Sequence, residues 1–399
     1  MAESYRYREL GGSGRRYWAL LAVIGVPLVL AAISFFYIES AGLTATGMDN
    51  QIVWGMPHVF AVFLLVAATG ALNVAMLASV FGYCSYRRLA PLSALVCMAL
   101  LAGGLAVFML DMGRADRMIE AMTHYNFSSI FAPRTLIYSG FLCVVAVYAW
   151  FMLERRMNDY VKPVAVIALL GQLFVATAVA ETFGLNVGRE AYDSMFYIPM
   201  FMAFGSAYGT AIFTVILLAA LAWDQQSLPD ELLRSLRNLL AVFVGASLFC
   251  GVLFLFSKSY LARSHDVAQF LLFDGGVYSA LFWLGQIVIG GIVPLVLLLL
   301  KPGFSRGGVV AACILVVLGG LAQMYVTVIG GQAYPQVLFP GMTEASSFFD
   351  GEIHPYSATL AEIFLGLGGI ALAAAIVAVA VRAMAILPVR FDRIAKPRA

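Results

Sequence analysis

Ten long apolar runs constrain this chain more than any other feature of its sequence. A helix needs about 20 predominantly apolar residues to cross the ~30 Å hydrocarbon layer of a bilayer. The runs lack the period-two alternation of barrel strands, and in lipid a helix bonds its backbone polar groups within its own segment. The sequence therefore predicts an all-α integral membrane protein of about ten transmembrane helices, in two helical bundles side by side. The helices are predicted at approximately 17–38, 55–82, 91–111, 132–153, 163–183, 196–222, 235–257, 278–300, 307–329 and 361–386.

The amino-acid composition excludes the soluble classes of protein. Of the 399 residues, 62% are hydrophobic and 12% are charged, whereas globular proteins carry about 25% charged residues. The 24 basic and 22 acidic residues cannot cover the surface of a soluble body of this length. A soluble enzyme, a nucleic-acid-binding domain and a disordered chain are therefore excluded. The scattered basic residues indicate no nucleic-acid partner, and membrane lipid is the environment that the surface requires.

The basic residues orient the predicted helices. With the N-terminus in the cytoplasm, 18 Lys and Arg residues fall on the cytoplasmic side and six fall outside. By the positive-inside rule, both termini are cytoplasmic. The chain then divides into a cytoplasmic N-terminal arm at 1–16, a transmembrane domain at 17–386 and a basic cytoplasmic tail at 387–399. The longer connections face outward, where a partner protein would dock: 39–54, 112–131, 184–195, 258–277 and 330–360.

Neither the cysteines nor the histidines form a recognisable metal site. The five cysteines contain no Cys-x-x-Cys pair, so they are interpreted as small core residues, and no metal ligand set is predicted. A two-haem cytochrome b is excluded, because its axial ligands lie on both sides of the membrane. A single outer haem, held by His58 and a loop histidine, stays open at this point. All four histidines fall in outward connections or at an outer helix end: His58, His124, His265 and His354.

Ionisable side chains at a shared depth are the strongest functional signal. Four of them lie near outer helix ends: His58, Asp111, Glu181 and Glu362. Because ionisable groups are costly to bury in a membrane, they are candidates for function, although each alone is also explained as an interfacial residue reaching water. If the helix that reaches Asp111 continues, Arg114 lies three residues further on and can pair with it. Such a carboxylate can exchange a proton or hydrogen-bond a lipid-soluble ligand.

Polar residues deeper in the predicted helices have two interpretations. They form interhelical hydrogen bonds, or they form a proton path that runs inward from the outer acids. The segment Gly205-Ser-Ala-Tyr-Gly209 likewise indicates either close helix packing or a flat surface for a ring. The candidates for the proton path are Asn73, Gln172, Gln286 and Gln323.

Several motifs follow one another along the chain. The segment Leu110-Asp-Met-Gly-Arg-Ala-Asp-Arg117 resembles the signature Asp-Leu-Gly-Arg-Pro-x-Arg of the NrfD / polysulfide reductase family of membrane subunits, with Met112 and Ala115 in place of Leu and Pro. Val53-Trp-Gly-Met-Pro57 resembles the opening of its second helix. Further similar segments are Ser194–Phe201 in helix six, Gly330–Pro335, and His354–Glu362. Ten helices and this C-terminal pattern are most similar to the DsrP-like and hydrogenase-2 members.

The resemblance implies a subunit that binds a quinone (menaquinone or ubiquinone) near the outer surface of a bacterial inner membrane, with no haem or iron–sulfur cluster of its own. It implies electron exchange with a periplasmic ferredoxin-like 4Fe–4S subunit on the outer loops, among further oxidoreductase subunits. Asp111 and Glu181 would accept protons, and the quinone would be bound by His58, Asp111, Arg114 and Tyr334.

Two other classes of protein stay open. A secondary transporter also has ten or more spans, but transporters favour inverted repeats and broken helices at the midplane, whereas the ionisable residues here avoid the midplane. The other alternative is a membrane anchor without quinone chemistry.

Overall fold

The computed structural model describes residues 7–11, 14–124, 126, 134–300, 305–335, 353 and 355–389. Within these residues, ten helices are long and apolar enough to cross a membrane, which confirms the predicted all-α membrane fold. His354 lies outside the described residues. The helices are α1 Gly14–Ala41, α2 Met56–Ser79, α3 Cys84–Leu110, α4 Arg134–Leu153, α5 Arg155–Gly184, α6 Tyr197–Trp223, α7 Asp230–Tyr260, α8 Val277–Leu299, α9 Arg306–Ala333 and α10 Leu360–Ala383.

The helix bounds differ from the apolar runs where polar residues take part in a helix. Helix α7 begins at Asp230, ahead of its apolar run, because acidic side chains are favourable in the first turn. Helix α9 continues to Ala333 and so occupies the start of the predicted outward connection at 330–360. Hydropathy alone therefore predicts the membrane-spanning part of each helix, but it does not predict where the helix begins and ends.

The ten helices form two four-helix bundles and an additional pair. Helices α2, α3, α4 and α5 pack around one another as the first bundle, and α6, α7, α8 and α9 pack as the second. The bundles lie side by side, with α2 and α6 forming their main contact. Helix α10 packs against α3 and α2, and α1 packs against α10.

Glycines set the contact between the two bundles. A Cβ on Gly209 would meet the backbone of Ala67 and Ala71 in α2, and a Cβ on Gly70 would meet the carbonyl group of Gly205 in α6. The two backbones therefore approach as closely as small residues allow in membrane helices. This confirms the close-packing interpretation of the 205–209 segment.

Helix α2 is interrupted near its middle by a side chain from α3. Ser93 Oγ donates to the carbonyl oxygen of Ala71 at 2.6 Å and accepts the N–H of Ala75 at 3.1 Å. It is inserted where a continuous α-helix would join these two groups directly, a known cause of helix distortion. The α-helix ends at Ala71 and resumes at Asn73. The second bundle also departs from α-geometry, with π-helical turns over Leu281–Ile292 and Val326–Gly330.

Residues near the two chain termini join at one end of the molecule. Strand β1 (Tyr7–Arg8) pairs antiparallel with β2 (Leu387–Pro388), and Arg8 forms an ion pair with Asp224 at the end of α6, at 2.6 Å. The described parts of the predicted arm and tail are therefore one small structure. We call the opposite end, where α2 and α10 begin and α3 ends, the His58 end.

Candidate functional site

Four helix ends bring the predicted ionisable residues to the His58 end. His58 lies in the first turn of α2, and Asp111 caps the C-terminus of α3. Glu181 lies in the last turn of α5, and Glu362 lies in the first turn of α10. The four residues that the sequence predicts at a shared depth therefore lie at one end of the molecule.

His58 lies between two aromatic rings. Its ring stacks on Trp54, with centroids 5.1 Å apart and planes 6° apart, and it meets the Phe108 ring edge-on at 4.6 Å. The side chain is 9% exposed, and its Nε2 atom has no hydrogen-bond partner among the described residues. Because a buried polar atom without a partner is costly, this nitrogen is suited to an oxygen atom of a ligand.

Gln332 fixes the segment that carries Trp54. Its Oε1 accepts the N–H groups of Val53 and Trp54 at 2.9 and 3.0 Å, and its Nε2 donates to the Trp54 carbonyl at 3.0 Å. The same amide donates to Val328 in α9 at 2.8 Å. Gln332 is fully buried. Through it, the second bundle holds Trp54, which we call the aromatic platform because the His58 ring stacks on it. The sequence places Gln332 within the Gly330–Pro335 motif but gives no signal for this role.

Glu362 is committed to structural hydrogen bonds. Its Oε2 accepts from the Gly47 N–H at 2.9 Å and from the N–H and hydroxyl of Thr359 at 2.8 and 3.0 Å, which completes a capping box. Its Oε1 accepts from the Tyr356 hydroxyl at 2.7 Å, and that hydroxyl accepts from the Met56 N–H at 2.7 Å. Burial and the Glu362 charge raise the pKa of Tyr356, so it remains a donor. This fully buried carboxylate ties the start of α10 to the start of α2.

Asp111 has the environment of a proton-exchanging group. Burial, together with the negative charge of Glu362, raises the pKa of Asp111 to about 7. A carboxyl group that titrates near neutral pH can accept and release a proton there. Helix α3 ends at Leu110, and Gly113 turns the chain with φ +70. Asp111 and the exposed Arg114 therefore do not lie on one continuing helix, which was the geometry expected for their pairing.

A buried arginine completes the charged groups of this end. Arg134, the first residue of α4, is 8% exposed, and its charge acts on Glu181, Tyr138 and His58. In the sequence, Arg134 is distinguished only as one of the six basic residues predicted on the outer side. Its apolar neighbours gave no signal that α4 begins at a buried charge.

Tyr334 lies over the second bundle. Its ring packs edge-on against Phe270 at 5.4 Å, and it lines a cavity of about 160 Å³ together with Arg189, Glu190 and Arg263. Burial and the charges of neighbouring acids raise the pKa of Tyr334 to about 12. Among the described residues, the rings in contact with His58 are those of Trp54 and Phe108. Tyr334 thus belongs to an adjacent cavity at the same end.

The four deeper polar residues form two separate groups. Gln172 Nε2 donates to Asn73 Oδ1 at 2.7 Å within the first bundle. In the second bundle, Gln286 and Gln323 line a void of about 30 Å³, and Gln286 also lines a deeper one of about 10 Å³ beside Gly290. The Oε1 atoms of both glutamines have no hydrogen-bond partner among the described residues. The larger void can hold about two or three water molecules, and the smaller one about one at most.

The described residues contain no group of three or more His, Cys, Asp or Glu side chains placed to hold a metal ion. The fold and this end thus define a class: a polytopic membrane protein with ionisable and aromatic side chains gathered at one end of a four-helix bundle.

Comparison with known proteins gives the family. A model of the polysulphide reductase NrfD family matches residues 44–336, and the protein belongs to this family. It is 24% identical over 391 residues to the Hdr-like menaquinol oxidoreductase integral membrane subunit of Archaeoglobus fulgidus, covering 96% of this protein and 97% of that one. It is 25% identical over 312 residues to a polysulfide reductase chain of Wolinella succinogenes, covering 71% and 96%. It is 20% identical over 367 residues to a selenate reductase subunit of Mesobacillus selenatarsenatis, covering 82% and 84%.

The names of these relatives describe an integral membrane subunit of a menaquinol oxidoreductase, a chain of a polysulfide reductase and a subunit of a selenate reductase. By its family and its ten candidate spans, this protein is a multi-pass integral membrane protein.

Proposed function

We propose that the protein binds a quinone or quinol at the His58 end of the first bundle. The observation that carries the proposal is the buried, unpartnered Nε2 of His58 between two aromatic rings. A carbonyl or hydroxyl oxygen on a flat ring can form the hydrogen bond that this nitrogen lacks, and the aromatic side chains nearby suit such a ring. The name of the Archaeoglobus relative, a menaquinol oxidoreductase subunit, supports a quinone as the ligand and menaquinone over ubiquinone.

The surrounding groups suit the proton chemistry of this ligand. Oxidation of a quinol to a quinone releases two electrons and two protons. Asp111, with a pKa of about 7, accepts one proton. Glu181, near the charge of Arg134, is the second acceptor. In this proposal Arg114 lies at the entrance, and Tyr334 forms the wall on the side of the second bundle.

The electrons pass to or from a partner subunit. We place a ferredoxin-like 4Fe–4S subunit over the connections at the His58 end, because an electron carrier must lie close to the quinone. The positive-inside count supports placing this end on the periplasmic side of a bacterial inner membrane, with both termini in the cytoplasm.

A proton path through the second bundle is a separate part of the proposal. The voids beside Gln286 and Gln323 support water-mediated transfer there. Asn73 and Gln172 already bond each other and would carry protons only by exchanging this bond for water. The transporter alternative is favoured by one observation, the interruption of α2 at Ser93.

The test is binding of a quinone analogue to the purified complex, followed by fluorescence quenching. We expect saturable binding in the wild type and at least tenfold weaker binding in His58→Ala and Asp111→Asn. The matched control is His265→Ala, since His265 is exposed at the same end and bonds only the Ser259 carbonyl in the described structure. Binding unchanged in both site variants refutes this location. Absence of saturable binding in the wild type refutes the quinone assignment and favours a transporter or an anchor.

A further inference from the structure

A buried lysine in the second bundle is not used by the chemistry proposed above. Lys258, in the last turn of α7, is 2% exposed. Its Nζ donates to the backbone carbonyls of Glu190 and Tyr192, both at 2.8 Å, and of Asp193 at 3.4 Å. The Asp193 carboxylate instead pairs with Arg263 at 3.2 Å. The three ammonium hydrogens are thus directed to the backbone of a single loop.

That loop connects the two bundles, since it joins the end of α5 to the start of α6. Arg189 in the loop donates to the carbonyl oxygens of Gln51 at 2.6 Å and Gln332 at 3.2 Å. Tyr192 is fully buried, and its hydroxyl donates to the Val328 carbonyl in α9 at 2.7 Å. A few consecutive residues therefore hold α7, α9 and the segment before α2 together.

The same loop contacts the aromatic platform of the site. The Tyr192 ring lies 6.2 Å from the Trp54 ring and 5.2 Å from the Phe183 ring. Trp54 in turn stacks on His58. A continuous series of contacts therefore runs from the ammonium group of Lys258 through Tyr192 and Trp54 to the His58 ring.

We propose that Lys258 is a positioning residue for the site: its ammonium group fixes the loop around Tyr192, and the loop fixes Trp54 in the stack with His58. A charge-assisted donor set that satisfies three carbonyls is stronger than neutral hydrogen bonds and has a defined direction. Through this loop, the Lys258 side chain of the second bundle determines the position of the Trp54 ring next to the first bundle. The effect on quinone binding rests on the proposed function, whereas the effect on Trp54 does not.

The first experiment follows Trp54 without any ligand. In a full-length protein with Trp18→Phe, Trp150→Phe, Trp223→Phe and Trp283→Phe, Trp54 is the remaining tryptophan. We expect Lys258→Met to shift its emission to longer wavelength and at least double its quenching by acrylamide, because the ring leaves the stack. Lys162→Met, at an exposed lysine at the start of α5, is the matched control and should change neither property. Unchanged Trp54 emission in Lys258→Met refutes the proposal.

The second experiment separates positioning from general stability. We expect Lys258→Met to weaken binding of the quinone analogue at least tenfold while its thermal midpoint stays within a few degrees of the parent's. A lowered midpoint with parental Trp54 emission and parental affinity in the folded fraction refutes the positioning role. If the wild type binds no analogue, the proposed function fails and the Trp54 emission still decides the role of Lys258.

A second variant covers the case in which Lys258→Met does not fold. Lys258→Gln keeps an amide donor but loses the charge and one hydrogen, so it should shift Trp54 emission in the same direction by a smaller amount. Parental emission in a folded Lys258→Gln variant then refutes the proposal.

Discussion

The titration of Asp111 makes the sharpest prediction about this molecule. Its pKa rises from an ordinary 3.8 to about 7, through burial and the Glu362 charge. The folded protein therefore holds the Asp111 proton more tightly than the unfolded chain. The resulting stabilisation is complete below pH 3.8 and is lost as the pH rises through 7.

The size of this effect follows from the two pKa values. Their difference corresponds to about 4 kcal/mol, and solvent screening of the partly exposed carboxyl group reduces it to about 2 kcal/mol. Asp111→Asn cannot ionise. We therefore expect it to match the wild type only below about pH 3.8 and to become more stable than the wild type as the pH rises, reaching about 2 kcal/mol by pH 8, roughly 2–4 °C in the unfolding midpoint. More than half of this difference should develop between pH 5 and pH 8.

The assay is thermal unfolding of the full-length protein in detergent at pH 5, 6, 7 and 8. Glu39→Gln is the control, because Glu39 is an exposed acid near the end of α1 and at the same end of the molecule. It measures how much of any pH dependence comes simply from removing an exposed acid at this end of the molecule. A constant difference between Asp111→Asn and the wild type from pH 5 to pH 8 would show that Asp111 does not titrate in this range, and the reasoning would be wrong.

Three further substitutions test the fold by the free energy of unfolding. Glu362→Ala should lower the free energy of unfolding by about 3–5 kcal/mol, because it leaves buried donors, including the Tyr356 hydroxyl, without their acceptor. A decrease of less than about 1 kcal/mol would contradict the structural role of Glu362. Gly209→Ala should lower the free energy of unfolding by about 1–3 kcal/mol, because the added Cβ meets the α2 backbone. The control Gly140→Ala, which has open space around it, should be neutral or stabilising, and equal effects of the two substitutions would argue against close packing. Ser93→Ala should cost about 1–3 kcal/mol and speed amide hydrogen exchange in the middle of α2; unaltered exchange there would mean that the helix closes without the hydroxyl.

The membrane fold could be predicted because a helix that spans the bilayer requires a long, continuous apolar segment. A run of about 20 apolar residues has few alternatives to a spanning helix, and all ten runs are helices. Placing His58, Asp111, Glu181 and Glu362 at one end needed only the count of spans, since successive helices reverse direction. The close helix packing at Gly205 and Gly209 could also be predicted, because small residues are typical of close contacts between membrane helices.

The roles of individual polar residues could not be predicted in the same way. Glu362 and Asp111 are both acids at helix ends, yet one accepts four hydrogen bonds and the other titrates near neutral pH. That difference depends on Tyr356 and Gly47, which are distant from Asp111 in sequence. Gln332 is one amide among several in the apolar runs, and only the fold places it against the segment before α2.

The packing of α1 has a consequence for biosynthesis. This helix is synthesised before the other nine, yet its principal helix contact is α10, which leaves the ribosome more than 300 residues later. Because α1 makes its main helix contact with α10, we expect it to remain a solitary span in the bilayer during that interval, while both four-helix bundles assemble. We expect α10 to pack on α3 before α1 packs on α10, and β1 to pair with β2 after that. Of the ten helices, we therefore expect the one that is synthesised earliest to be among the last to be incorporated, and ribosome-bound chains that stop before α10 should leave α1 open to crosslinking with lipid or the insertion machinery.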